Sequence, residues 1–266
     1  MSPDAELLDR LDAYLDAFPR PSTRVEEIGP FTLFVNEGAG WPYYARPTRG
    51  IRTAEPRDVE VLRERQRDLG VPEQIEWVVD LAPEIGVAAE AAGLHVIEHP
   101  LMHLPIADVV PIPPPPDVEI TLAAPEDDVA AITAVASIAF GSPGTAAAGA
   151  LDDAATRVSP DLAAFTRDRI ERGLTVTAIA RIDGQLVATG AHNPLDNTTE
   201  IVGVGTLPGF RRRGIGAALT SFLVDDALAR GIDTVLLSAG GDDVARIYGQ
   251  LGFRRVGSAG AAEPAL

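Results

Sequence analysis

The stretch that most limits what this chain can become runs from Thr199 to Phe253. Residues 200–207 form an apolar run that reads as a strand, and Pro208, Gly209 and Phe210 break it. Arg211, Arg212, Arg213, Gly214, Ile215 and Gly216 then make a basic, glycine-bearing turn. This turn feeds into a helical pattern from Ala217 to Arg230, closed by Gly231. A second strand, Thr234–Ser238, and a second helix, about Asp243 to Leu251, lead to Gly252 and Phe253. The first N–H groups of a helix have no intrahelical partner, and the helix dipole favours negative charge there. Gly214 and Gly216 let a ligand approach the backbone closely. Three adjacent arginines add positive charge to an otherwise acidic chain, so the turn suits an anion such as a pyrophosphate.

The pattern Arg211-x-x-Gly214-x-Gly216 between strand and helix resembles the acetyl-CoA pyrophosphate loop of the GNAT (GCN5-related) N-acetyltransferases. The later residues Ala245, Tyr248, Gly252 and Phe253 resemble that family's A-x-x-Tyr-x-x-x-Gly-Phe signature. The two motifs stand in order, one helix and one strand apart, and the resemblance covers residues 117–266. It implies an α/β chain with a mixed sheet (α+β) in which a GNAT domain binds acetyl-CoA as acetyl donor.

Composition narrows the alternatives. The chain has 266 residues, enough for one large domain or two smaller ones. It contains no cysteine, which excludes disulfides, thiolate catalysis and cysteine-held zinc or iron–sulfur groups. No other metal site is expected: His99 and His103 are four residues apart, but Pro100 and Pro105 spoil a helical metal pair. A net charge of −17 argues against nucleic acid as partner and suits the attraction of cationic amines. The first residues carry no basic segment followed by an apolar core, and no run of 18 apolar residues occurs. A soluble, cytoplasmic protein without membrane contact is expected; a homodimer stays open.

Pro111, Ile112, Pro113, Pro114, Pro115 and Pro116 form a stiff connector and the expected domain boundary. Residues 1–110 precede it, and 117–266 follow as the GNAT domain. Before the connector, the pattern predicts helices at 4–18, 59–69 and 83–92 and strands at 31–35, 75–79 and 94–97, with 36–57 irregular and carrying Trp41, Tyr43 and Tyr44. The order from 59 to 97, helix, strand, helix ending in glycine, strand, repeats that of residues 217–256. It suggests a degenerate GNAT-like half without a pyrophosphate loop, expected to supply acceptor-pocket walls and no CoA site. After the connector come a strand at 118–122, helices at 125–140 and 160–172, and an irregular stretch at 141–158 that is a candidate substrate loop. A hairpin follows around Asp183 and Gly184.

Acetyl transfer from a thioester to an amine needs a neutral amine, a donor for the carbonyl oxygen and a proton for the leaving sulfur. The resemblance implies that Tyr248 is the acid and that Glu200 is the base, directly or through water; His192 and Asn193 are further candidates for that role. It implies that Val204, Gly205 and Thr206 offer backbone groups to the pantetheine and thioester. Arg211, Arg212, Arg213, Gly214, Ile215, Gly216 and Ala217 would hold the pyrophosphate. Many members place an asparagine seven residues before the tyrosine for the pantetheine arm. Here Gly241 stands there, and Asp242 or Asp243 is expected to cap the next helix. The expected activity is acetyl-CoA-dependent N-acetyl transfer, an acyltransferase reaction, to a primary amine on a small molecule or a peptide, by direct attack in a ternary complex. A non-catalytic acyl-CoA sensor and transfer of a longer acyl chain remain as alternatives.

Overall fold

The computed structural model describes residues 3–40, 43–141 and 151–265. In chain order the elements are α1 (Pro3–Ala17), β1 (Arg24–Ile28), β2 (Phe31–Val35), β3 (Ala45–Pro47), α2 (Pro56–Leu69), β4 (Ile75–Val78), α3 (Glu84–Ala91) and β5 (Leu94–Leu104). Then follow β6 (Glu119–Leu122), α4 (Val129–Gly141), α5 (Leu151–Ala155), α6 (Pro160–Glu171), β7 (Val176–Ile182), β8 (Gln185–Leu195), β9 (Thr198–Thr206), α7 (Ile215–Ala229), β10 (Thr234–Ser238), α8 (Asp242–Gly249) and β11 (Arg254–Pro264). Two compact units result. One holds Met1–Met102, Ser238–Ala245 and Arg255–Leu266; the other holds His103–Leu237 and Arg246–Arg254.

In the first unit the strand order is β1-β2-β3-β4-β11-β5. The β1–β2–β3 meander is antiparallel, β3 and β4 are parallel, and β11 runs antiparallel to β4. The C-terminal strand therefore completes the sheet of the N-terminal unit. Its core gathers Phe31, Leu33, Leu62, Ile75, Trp77 and Ile85. The crossover helix α2 forms because Glu55 and Asp58, on either side of Pro56, make a capping box, and because Val59, Leu62 and Gln66 place one face in that core. Bonds from Gly70 N to Arg67 O and from Val71 N to Gln66 O close its end.

The second unit orders its strands β10-β9-β8-β7-β6. The chain from β6 to β9 is antiparallel, and β9 and β10 are parallel. The β7–β8 turn places Asp183 and Gly184 at φ 49° and 78°, the pair of positive angles a tight hairpin needs. Helix α7 makes the crossover and ends as α2 does, with Gly231 N on Leu228 O and Ile232 N on Ala227 O. Along the chain, β1 to β5 and β7 to β11 each run an antiparallel meander, a crossover helix, a parallel strand, an eight-residue helix (α3, α8) and an eleven-residue strand (β5, β11).

Several elements depart from the sequence pattern. Strand β1 stands where no strand is expected, and α4 begins at Val129 rather than at 125. Strand β5 runs past the expected 94–97 and carries His99, Pro100 and His103. Pro100 lacks an N–H, yet its carbonyl accepts from Ala239 N at 2.9 Å, so it still serves the sheet. Strand β3 lies within the stretch expected to be irregular, held by cross-strand pairing to β2 rather than by its own pattern. Helix α5 lies within the expected substrate loop 141–158; residues 142–150, like Trp41, fall outside the described residues.

Candidate functional site

Strands β9 and β10 share a ladder only where Thr198, Thr199 and Glu200 face Thr234, Val235 and Leu236. β9 runs on to Thr206 without that partner. The backbone edge of residues 201–206 is where an extended ligand can take up strand-like hydrogen bonds. On its other edge β9 carries a bulge. Thr189 faces Gly205 and Ala191 faces Val202, so Gly203 and Val204 together oppose Gly190. Gly203 takes φ 62°, the left-handed conformation that such a bulge needs. The extra residue swaps the faces of the strand. Thr199 lies toward α7 before the bulge; Val204 and Thr206 lie there after it, beside the position a Cβ on Gly216 would take. Gly205 faces α4, and a Cβ on it would stand 2.7 Å from Ala139 Cβ.

The loop that follows turns through Pro208–Phe210, with Arg212 at φ 60° and Gly214 at φ 80°. Gly214 precedes α7 as its N-cap, and the first helical bond runs from Ala218 N to Gly214 O. The N–H groups of Gly214, Ile215, Gly216 and Ala217 are therefore the four that the helix leaves unpaired. The three arginines divide their work. Arg211 donates through Nε to Thr206 O at 3.1 Å and through Nη2 to Ala139 O at 2.6 Å, binding the strand end to the end of α4. Arg213 pairs with Asp117 and lies over the Phe210 ring at 6.0 Å. Arg212 is exposed and has no hydrogen bond or ion pair among the described residues.

Glu200 stands across the ladder from Asn193, on the face away from α7. Asn193 Oδ1 accepts from the Thr175 hydroxyl at 2.8 Å, and that oxygen accepts from Arg169 Nε at 2.9 Å. Arg169, 8% exposed, also donates to Leu174 O and lies over Phe165 at 5.7 Å. Nothing in the sequence flagged Arg169 or Thr175: an arginine in the last turn of a helix reads as a solvated surface residue. His192 points the opposite way from Asn193 and is fully buried. Its Nε2 donates to Asp226 Oδ2 at 2.9 Å, because a carboxylate only accepts, and its Nδ1 accepts from the Thr199 hydroxyl at 2.9 Å. Burial holds the imidazole below its ordinary pKa and keeps it neutral, although Asp226 pulls the other way. Burial pushes the Asp226 carboxyl up, but hydrogen bonds from Arg230 and His192 outweigh it and hold the group below the usual range. Both nitrogens of His192 are thus committed to packing α7 on the sheet, which takes it out of the set of candidate bases.

Tyr248, on α8, is half-buried with its ring edge-on to Phe253 at 5.9 Å. Its hydroxyl has no hydrogen-bond partner among the described residues, and burial raises its phenol above the ordinary value, so it stays protonated. Its carbonyl accepts from Leu251 N and Phe253 N. A Cβ at Gly252 would overlap Asp108 O, which explains the glycine of that motif as a close approach of two backbones. Helix α8 starts at Asp242, and Ala245 N bonds Gly241 O; Asp242 and Asp243 fall inside the first turn, where their charge suits the dipole, rather than ahead of it as caps. Among the described residues no helix is long and apolar enough to cross a membrane, and no group of three His, Cys, Asp or Glu is placed to hold a metal.

Comparison with known proteins adds the following. Residues 149–253 match the model of the Acetyltransferase (GNAT) family. No curated protein matches the chain. A GCN5-related N-acetyltransferase from Kribbella flavida shares the fold with TM-score 0.73 and 23% identity, over 97% of this chain and 96% of that one. A functionally unknown conserved protein from Staphylococcus epidermidis aligns with TM-score 0.61 and 15% identity, over 95% and 98%. A GCN5-related N-acetyltransferase from Sphaerobacter thermophilus does so with TM-score 0.53 and 19% identity, over 73% and 60%.

Proposed function

We propose, from the match of residues 149–253 to the model of the Acetyltransferase (GNAT) family, that the protein moves an acetyl group from acetyl-CoA to a primary amine. The observation that carries this reading is the parting of β9 from β10 just ahead of a helix start with four unpaired N–H groups. The N–H groups of Gly214, Ile215, Gly216 and Ala217, with Arg212, hold the pyrophosphate; Arg211 and Arg213 shape the loop through their own partners. The β9 edge at Val204, Gly205 and Thr206 takes the pantetheine and thioester by backbone hydrogen bonds. The amine nitrogen attacks the thioester carbonyl carbon, its proton passes to Glu200 directly or through water, and the carbon–sulfur bond breaks. Tyr248 gives its proton to the departing sulfur, for which a phenol kept protonated by burial is suited. We place the transferase segment at 117–266 and an accessory, degenerate GNAT-like half at 1–110.

One observation favours a second reading, that of an acyl-CoA sensor without turnover: Gly241 stands where many members carry an asparagine for the pantetheine arm. A panel of small-molecule and peptide amines, offered with acetyl-CoA and read by release of free CoA, separates the two. Release with at least one amine supports the transferase. Tight acetyl-CoA binding without release from any amine supports the sensor.

A further inference from the structure

A groove of about 350 Å³ runs beside α7 in the second unit, and no step above uses it. One wall is a single face of the helix: Ala218, Ser221, Phe222 and Asp225 recur at the three- and four-residue spacing of one stripe. The other wall is the proline run, Pro111 to Pro114, with Ile120 of β6. This run is fixed in place. Ile112 N donates to Ser221 Oγ at 2.9 Å, and Val110 N to Leu251 O at 3.0 Å. Proline rings hold φ near one value, so little order remains to be gained when a ligand enters. Apart from Ser221, whose hydroxyl accepts from Ile112 N, and Asp225, the lining side chains are apolar, and the volume lies in the range of small-ligand sites.

Asp225 is the one charged group of the lining. It has no hydrogen bond or ion pair among the described residues, unlike its neighbour Asp226, which is bound to His192 and Arg230. Asp225 sits exposed at the rim, yet the groove withdraws enough water to push its carboxyl above the ordinary value. A carboxylate that is partly dehydrated and unpartnered gains most from a cation brought against it.

We propose that this groove is a binding site for a small organic cation, an ammonium on a compact apolar or aromatic body, with the ammonium on Asp225 and the body between Phe222, Ile120 and the proline run. It is separate from the acyl-CoA site proposed above and does not depend on it. The chain as a whole, at −17, draws such cations toward its surface.

Titration calorimetry on the full chain tests this with three probes of one shape: phenethylammonium, phenethyl alcohol and phenylacetate. The cation should bind at least about tenfold more tightly than the alcohol, the scale of one charge-assisted hydrogen bond, and the anion should not bind. Asp225→Asn should remove the difference between cation and alcohol. Asp225→Lys should reverse the order, so that phenylacetate binds best. Both substitutions fall on an exposed helix position, and matching melting curves will show that each variant is folded. Equal binding of cation and alcohol to the wild type, no binding of the cation, or cation binding that survives both substitutions would each overturn the proposal.

Discussion

Replacing Gly205 by alanine tests how closely α4 must lie on β9. The new Cβ would stand 2.7 Å from Ala139 Cβ, where ordinary contact starts at 3.4 Å, so the two carbons would be about 0.7 Å too close. The helix has little freedom to retreat, because Ala139 O and Thr206 O are held by the same Arg211 guanidinium at 2.6 and 3.1 Å. Overpacking a fitted interior costs about 1–3 kcal/mol, and loosening one hydrogen bond adds about 1 kcal/mol. Gly205→Ala should therefore cost about 2–4 kcal/mol, a fall in Tm of roughly 4–12 °C. The informative partner is Ala139→Gly, which removes the obstructing carbon at the ordinary helix cost of about 1 kcal/mol. In that background Gly205→Ala should cost less than about 1 kcal/mol, a favourable coupling of at least ~1 kcal/mol between the sites. Urea unfolding of the four proteins, followed by far-ultraviolet circular dichroism, reads the cycle. Additive costs would refute the contact as the source of the strain.

Tyr248→Phe should leave acetyl-CoA affinity nearly unchanged, because the ring still packs on Phe253, and should lower kcat by ~10²-fold or more with little change in KM; wild-type turnover would reduce Tyr248 to a packing residue. His192→Leu leaves Thr199 and Asp226 facing an apolar group, and should cost about 2–4 kcal/mol in chemical denaturation. A loss of transfer without loss of stability would instead restore His192 as a base. In the first unit, burial raises the Glu76 carboxyl to about 7, against the pull of Arg46 and Tyr44 and with help from Glu263. The folded state then holds a proton that the unfolded state, at the ordinary 4.5, releases; the contribution is full below pH 4.5 and is lost as pH rises to about 7. Glu76→Gln should flatten that part of the stability profile, and an unchanged slope in the variant would show that another group produces it.

The parts legible in the sequence are those governed by local rules. The glycine-bearing turn before α7, the Asp183–Gly184 hairpin and the glycine stops after α2 and α7 each follow from backbone chemistry within a few residues, and each lies where the pattern puts it. The repeated order of elements was visible too, and the matched lengths of α3 with α8 and of β5 with β11 sharpen it. What stayed hidden depends on partners far away in the chain. Strand β3 is three residues long and exists because β2 and β4 flank it. The bulge at Gly203 appears only as a register shift against Gly190. The arginine-rich turn read as one uniform cationic patch, whereas Arg211 is tied to carbonyls and Arg213 to Asp117, leaving Arg212 in solvent. His192 and Asn193 are adjacent in sequence but face opposite sides of the sheet, so only one of them stands beside Glu200.

The central claim is that the start of α7 holds acyl-CoA, and calorimetry of acetyl-CoA against three forms of the full chain tests it most directly. A side chain at position 214 meets nothing within 4 Å, so substitution there leaves the packing alone, and only the left-handed backbone resists it. Gly214→Asn, which tolerates that conformation, should bind acetyl-CoA within a few-fold of wild type. Gly214→Glu should weaken binding by about tenfold or more, because its carboxylate occupies the ground the pyrophosphate needs. Equal affinity in all three proteins would contradict the assignment.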